Sequence, residues 1–203
     1  MDRKSPEFTA KELSYLQNTD FLRTKRSLIS GFIEWFEKIQ VDIIHLIDSG
    51  KFQLPDGAIT RAGKITKGEN YKDLPFVVLD CPRFFSKNDI FAYRSIFWWG
   101  NYLSNHFLLK GHYLDLYRGK FYEAWPFLRE QEVYLDLSNN PWNHDLSTQD
   151  YVRTKRLNTE EFDKIVEHAD FLKLVWRMEL DQWKDFHQFS LKNFLSIHKI
   201  MNI

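Results

Sequence analysis

The chain has 203 residues, enough for one substantial core, and its 43 % apolar and 17 % aromatic content excludes a disordered tail protein. Twenty-eight basic and 28 acidic residues cancel, which excludes binding of nucleic acid through bulk charge, since neutralising phosphates needs a basic face. The single cysteine forms no internal disulfide, the first residues carry no apolar secretory segment, and no run approaches the roughly 18 apolar residues of a spanning helix; a cytoplasmic protein with no membrane partner is expected.

Thr9-Ala10-Lys11-Glu12 is a capping-box pattern and opens a short helix to about Asn18. A second helix begins near Thr19 or Asp20. Its Leu28, Phe32, Phe36, Ile39, Ile43 and Ile47 recur at spacings of 3 and 4 and share one face, until Ser49-Gly50 stops it. Turn residues follow (Pro55-Asp56-Gly57, Gly63, Gly68), around an edge strand over 59–67 with Arg61, Lys64 and Lys67 pointing outward. Residues 74–80 are apolar on both faces, as in a central strand, with Pro75 at its start. Cys81-Pro82-Arg83 is expected to turn the chain out of that strand, and Ser86 to cap one helical turn before Ile90.

Residues 91–99 and 102–109 read as two extended runs around a two-residue turn, Gly100-Asn101. That turn sets Trp99 opposite Tyr102, Phe97 opposite Ser104, Ser95 opposite His106 and Tyr93 opposite Leu108; a slip of one residue would exchange the faces. After Gly111, Leu114, Tyr117, Phe121 and Trp125 are spaced as in a helix that Gly119 weakens and Pro126 ends. Val133, Leu135 and Leu137 alternate as a strand with one buried face, and 138–150 is loop by composition. Asn158 with Glu161 caps a helix to about His168, 171–178 alternates as a strand, and Asp181 caps a final helix through Trp183, Phe186, Phe194, Ile197 and Met201. The sum is one α+β domain over 1–203 with a mainly antiparallel sheet flanked by a long N-terminal helix and a C-terminal helix. It has a helical segment over 1–50, a sheet-rich centre over 59–137 and a mixed closure over 158–203.

The run GENYKDLP, the following strand with Asp80-Cys81-Pro82-Arg83, and IFAYRSIFWWG resemble the signature of a family of uncharacterised proteins from Bacteroidetes bacteria. The resemblance rests mainly on residues 68–100 and implies a bacterial origin; it carries no activity, cofactor or catalytic residue across.

The expected site is one face of the hairpin. Trp99, Phe97, Tyr93 and Tyr102 would wall a pocket in which Ser95, Ser104 and His106 are polar anchors, the combination small-molecule sites use. The competing reading makes these aromatics core beneath the long helix, with His106 hydrogen-bonded inside it. The polar loop 139–145 carries Trp142 and His144, residues suited to recognition, or else a Trp142 that plugs the sheet end. Glu69 and Tyr71 are expected close by. Cys81 stands between Asp80, which raises a thiol pKa, and the lowering Arg83, and reads as a buried structural thiol. His106, His112 with Asp115, and His144 offer a metal set, but no H-x-x-x-H or H-E-x-x-H spacing occurs, and no metal or cofactor is assigned. The sequence RTKR occurs at 23–26 and 153–156 and reads as two solvated basic faces. A non-catalytic module binding a small-molecule ligand or a protein is the expectation, with a homo-oligomer formed through leftover aromatic surface such as Trp35. The competing class is a hydrolase using His106, His112 and His144.

Overall fold

The computed structural model describes residues 7–50, 52–55 and 63–202. Helix α1 (Ala10–Gln17) has both bonds of the expected capping box, with Glu12 N donating to Thr9 Oγ1 at 3.2 Å and Thr9 N donating to Glu12 Oε2 at 2.7 Å. Asn18 ends it and caps α2 (Thr19–Asp48), accepting from Phe21 N at 3.0 Å. Ile29, Phe36, Ile39 and Ile43 of α2 are buried. Gly50 follows at φ +74°, the left-handed position that a terminating glycine takes without steric cost. Leu28 is exposed, because the first third of α2 overhangs the body.

Among the described residues seven antiparallel strands form one sheet: β1 (Lys64–Tyr71), β2 (Leu74–Phe85), β3 (Ile90–Trp98), β4 (Tyr102–Lys110), β5 (Tyr134–Asp136), β6 (Tyr151–Arg153) and β7 (Phe171–Glu179), in the order β1-β2-β3-β4-β7-β5-β6. Three further helices, α3 (His112–Leu128), α4 (Thr159–His168) and α5 (Phe186–Met201), complete the α+β domain. With α2 they cover one sheet face, where Phe36, Ile39 and Ile43 meet Val77, Leu79, Phe107, Phe121 and Phe194 in the main core. The opposite face carries a smaller cluster, in which Val78, Ile96, Trp98, Tyr102 and Val175 pack with Leu146 from the segment joining β5 to β6. Among the described residues no helix is long and apolar enough to cross a membrane.

Several expectations are corrected. The edge strand is β1, displaced toward the C-terminus; Ile59 and Arg61 lie outside the described residues. Cys81-Pro82-Arg83 does not leave the sheet. The strand runs on to Phe85 through a register shift between Asp80 and Arg83, a bulge that accommodates a proline with no N–H to donate. Ser86 forms a hairpin turn and no helix, its Oγ accepting from Asp89 N at 2.9 Å. Pro126 lies inside α3, where only two residues follow and little of the hydrogen-bond ladder remains to be lost. Asp181 falls in a 3-10 turn, Leu180–Asp185, that precedes α5. Residues 153–156 are no plain solvated face: Tyr151–Arg153 pairs with β5, and Thr154 is buried with its hydroxyl bonded to Leu128 O at 2.8 Å.

The consequential correction is the register of the β3–β4 hairpin. Trp98 pairs with Tyr102, Ile96 with Ser104 and Arg94 with His106, so the loop holds Trp99, Gly100 and Asn101 and is one residue longer than expected. Asn101 N donates to Trp98 O at 3.1 Å with Gly100 at φ +71°, a turn whose third position needs a positive φ. Adding one residue to the turn exchanges the two faces of β3.

Candidate functional site

The chain between β5 and β6 crosses the second sheet face as a strap, and aromatic hydroxyls rising from the strands hold it there. Tyr71 Oη accepts from His144 N at 2.7 Å. Tyr102 Oη accepts from Leu146 N at 2.8 Å and donates to His144 O at 2.7 Å, and Tyr151 Oη donates to Asn143 O at 2.5 Å. Burial raises the pKa of all three phenols, so they stay protonated and able to play these parts.

Beneath the strap lies Lys173, 1 % exposed. Its ammonium forms an ion pair with Asp136, 2.5 Å from Oδ2, and donates to Pro141 O at 3.0 Å and Asn143 O at 2.5 Å. Desolvation lowers its pKa to about 8 against the opposing pull of Asp136, leaving it charged at neutral pH. At the rim Lys72 pairs with Asp145, whose carboxylate also accepts from Ser147 N at 2.9 Å.

Between strap and sheet is a cavity of about 370 Å³ walled by Tyr71, Phe76, Trp98, Tyr102 and Trp142, with Thr66, Val78, Arg94, Ile96, Ser104 and His144 completing the lining. Arg94 grips Asp80 with two bonds of 2.6 and 3.1 Å, and its guanidinium lies 5.0 Å from the Trp142 ring centroid. Its Nη1 is 3.2 Å from His144 Nε2. Arginine can only donate, so His144 Nε2 accepts and the imidazole proton resides on Nδ1. On the same face Ser104 Oγ is 2.8 Å from His106 Nε2, and the His106 and His144 rings stand edge to face at 5.1 Å. Neither His106 Nδ1 nor His144 Nδ1, both buried, has a hydrogen-bond partner among the described residues. Burial pushes both imidazoles well below their ordinary pKa. His144, Lys173 and Arg94 reinforce this for His106, and Arg94 and Lys173 do so for His144, so both rings are neutral at pH 7.

Of the residues expected to form the site, Tyr102, Ser104, His106, Trp142 and His144 come together here. Tyr93, Ser95, Phe97 and Trp99 do not, because β3 presents the first three to the helices and Trp99 of the hairpin loop packs against the same core. Tyr93 Oη donates to Ser190 O at 2.7 Å, Phe97 stacks on Phe32 at 3.8 Å, and Trp99 meets Phe97 edge-on at 6.1 Å. Ser95 Oγ accepts from Asn105 Nδ2 at 2.8 Å, within a buried network that Ser190 and Asn193 of α5 complete. In their place β3 supplies Arg94, Ile96 and Trp98. Tyr71 lines the site as expected, whereas Glu69 pairs with Lys25 of α2.

Lys173, Asp136 and Asp80 were not expected in the site; the signal for each is a lone charge inside an apolar strand, in FLKLVW, VYLDL and FVVLDC. His112 heads α3, its N–H donating to Asp89 Oδ1 at 2.8 Å, and does not line the cavity. Among the described residues no group of three His, Cys, Asp or Glu side chains is placed to hold a metal ion. Cys81 is buried on the helix side, its pKa pushed up to about 12 by burial and then by Asp80. Compared with protein-family models, curated proteins and solved structures, the chain matches none.

Proposed function

We propose that this chain is a non-catalytic small-molecule-binding module whose ligand occupies the cavity beneath the strap. The observation that carries this reading is an aromatic-walled space of about 370 Å³ with a polar base whose charges are already matched. Its size falls within the roughly 300–1,000 Å³ of ligand sites. Arg94 is committed to Asp80 and Lys173 to Asp136, and both imidazoles are neutral, so an anion gains no unmatched cation there. The fitting ligand is compact and uncharged, with a flat apolar body to lie against Trp98 and Trp142. The resemblance of residues 68–100 to a Bacteroidetes family and the lone thiol support a bacterial, cytoplasmic setting. Native mass spectrometry of the freshly purified protein tests the reading. An organic adduct retained by the wild type and lost in Trp142→Ala is expected; no adduct, and no thermal shift with any neutral aromatic fragment, would refute it.

A hydrolase is the second reading, favoured by Ser104 Oγ at 2.8 Å from His106 Nε2 with the serine on the cavity wall. Two features weigh against it. A serine nucleophile needs a base that becomes imidazolium, and His106 is desolvated and faces Lys173 and Arg94, both of which oppose that charge. Among the described residues its Nδ1 also has no carboxylate to orient the ring. Ester hydrolysis by wild type and Ser104→Ala is expected to be equal; a tenfold or larger loss in the variant would favour the hydrolase.

A further inference from the structure

Helix α1 contains no buried residue, and the first buried residue of α2 is Ile29. The 18 helical residues before Ile29, Ala10–Gln17 of α1 (8 residues) and 19–28 of α2, include none that is buried, and their pattern is not that of a solvated arm. Phe21, Leu22 and Leu28 lie on or beside the α2 stripe that, from Ile29 onward, packs on the sheet; the apolar face runs on past the core, tied to β1 through the Lys25–Glu69 pair while these three side chains stay exposed. Leu13 and Leu16 make one exposed face of α1, and Phe8 stands at the position before the Thr9 cap from which a hydrophobic staple reaches Leu13.

We infer that this arm is a homodimer interface, and that its occupant is the same arm of a second copy running antiparallel across a two-fold axis. The first support is area. Phe8, Leu13, Leu16, Phe21, Leu22 and Leu28 are each roughly half exposed, which amounts to about 500 Å² of apolar side chain per copy and about 1,000 Å² for the pair. With a polar rim that reaches the roughly 1,200 Å² at which specific interfaces begin. The second is charge. Over residues 7–20 the arm carries Glu7, Glu12 and Asp20 against Lys11, whereas residues 23–26 carry Arg23, Lys25 and Arg26. Lys25 is drawn to Glu69 of its own chain, which leaves Arg23 and Arg26, both exposed, to face outward. In an isologous pair residue i meets j while j meets i, so antiparallel arms set the acidic half of each copy against the basic half of the other. Parallel arms would set like against like. The acidic half equally disfavours an anionic membrane as the occupant.

The inference is independent of the cavity, and sedimentation of the full chain at micromolar concentrations tests it. The expected mass is twice the 24.5 kDa of one chain. Leu13→Asp with Leu16→Asp should weaken the dimer by on the order of 100-fold with the thermal midpoint at monomer concentrations unchanged, since neither side chain is buried in the domain. Arg23→Glu with Arg26→Glu should also dissociate it, and adding Glu7→Lys and Asp20→Lys to that variant should restore it. A wild-type monomer, a dimer indifferent to the leucine variant, charge variants that the compensating pair fails to rescue, or a monomer that instead cosediments with anionic vesicles would each overturn the assignment.

Discussion

Replacing Lys173 by methionine should be the most damaging conservative change on the strap side of the sheet. The ammonium and its counter-ion Asp136 are 1 % and 0 % exposed and 2.5 Å apart. Methionine keeps most of the stem volume but leaves a buried carboxylate without its cation, Pro141 O without the ammonium it accepts from, and Asn143 O with the Tyr151 hydroxyl in place of two donors. Removing one partner of a buried pair costs about 3–5 kcal/mol, a large part of the roughly 5–15 kcal/mol that holds a domain folded. At about 2–4 °C per kcal/mol for a chain of this size, the midpoint should fall by about 6–20 °C. Urea unfolding measures the loss. Amide exchange should be fastest relative to wild type in the strap, because the lysine fastens that segment. Lys173→Met with Asp136→Leu should recover part of the stability, leaving about 2 kcal/mol for the Ser138 amide that donates to Asp136 Oδ1 and for the strap carbonyls that lose the ammonium. A single variant within about 1 kcal/mol of wild type, or a double variant no better than the single, would refute the reasoning.

Three further perturbations follow from the same geometry. His106 and His144 are held neutral in the folded protein but accept protons near pH 6.5 when unfolded. The unfolded state therefore binds more protons below that pH, and stability should fall as pH drops from about 6.5 to 5, by up to about 1.4 kcal/mol per pH unit for each ring; urea midpoints across that window should show the slope, and His106→Gln should remove one ring's share of it. At Gly68 an added Cβ would collide with the Phe76 ring, a cavity wall, so Gly68→Ala should cost about 1–3 kcal/mol and weaken ligand binding in a titration by pushing that ring into the space. Cys81, buried and with its pKa pushed up to about 12, should resist a thiol reagent at about pH 8 until urea unfolds the chain.

Local signals in the sequence were reliable where one residue type decides one backbone state. The Thr9–Glu12 and Asn158–Glu161 boxes start α1 and α4 as read, and the 3–4 spacing of Phe36, Ile39 and Ile43 marks the buried face of α2. The strands β4 and β7 fall where the apolar runs place them. The site was legible only by halves. Tyr102, Ser104 and His106 on β4 come together with Trp142 and His144 of the strap, but a loop of three residues in place of two turned Tyr93, Ser95 and Phe97 toward the helices and brought Arg94, Ile96 and Trp98 in instead. Both faces of β3 are aromatic and apolar, so alternation alone carries no information on which one meets the helices. Lys173 shows a second limit. It reads as a solvent-facing residue of an amphipathic strand, and only the strap, distant in sequence and without regular structure of its own, makes it a buried partner of Asp136.

Titration of the protein, labelled with nitrogen-15 at its tryptophan indoles, with a panel of small neutral aromatic compounds bears most directly on the cavity as a binding site. Trp98 and Trp142 line it, whereas Trp125 and Trp176 belong to the core on the far side of the sheet. The account predicts that a binding compound shifts the Trp98 and Trp142 indole signals, saturably and together, and leaves those of Trp125 and Trp176 in place. Compounds that move no indole signal at any concentration, or that move only those of Trp35 and Trp183, which pack on each other at 5.4 Å away from the cavity, would contradict it.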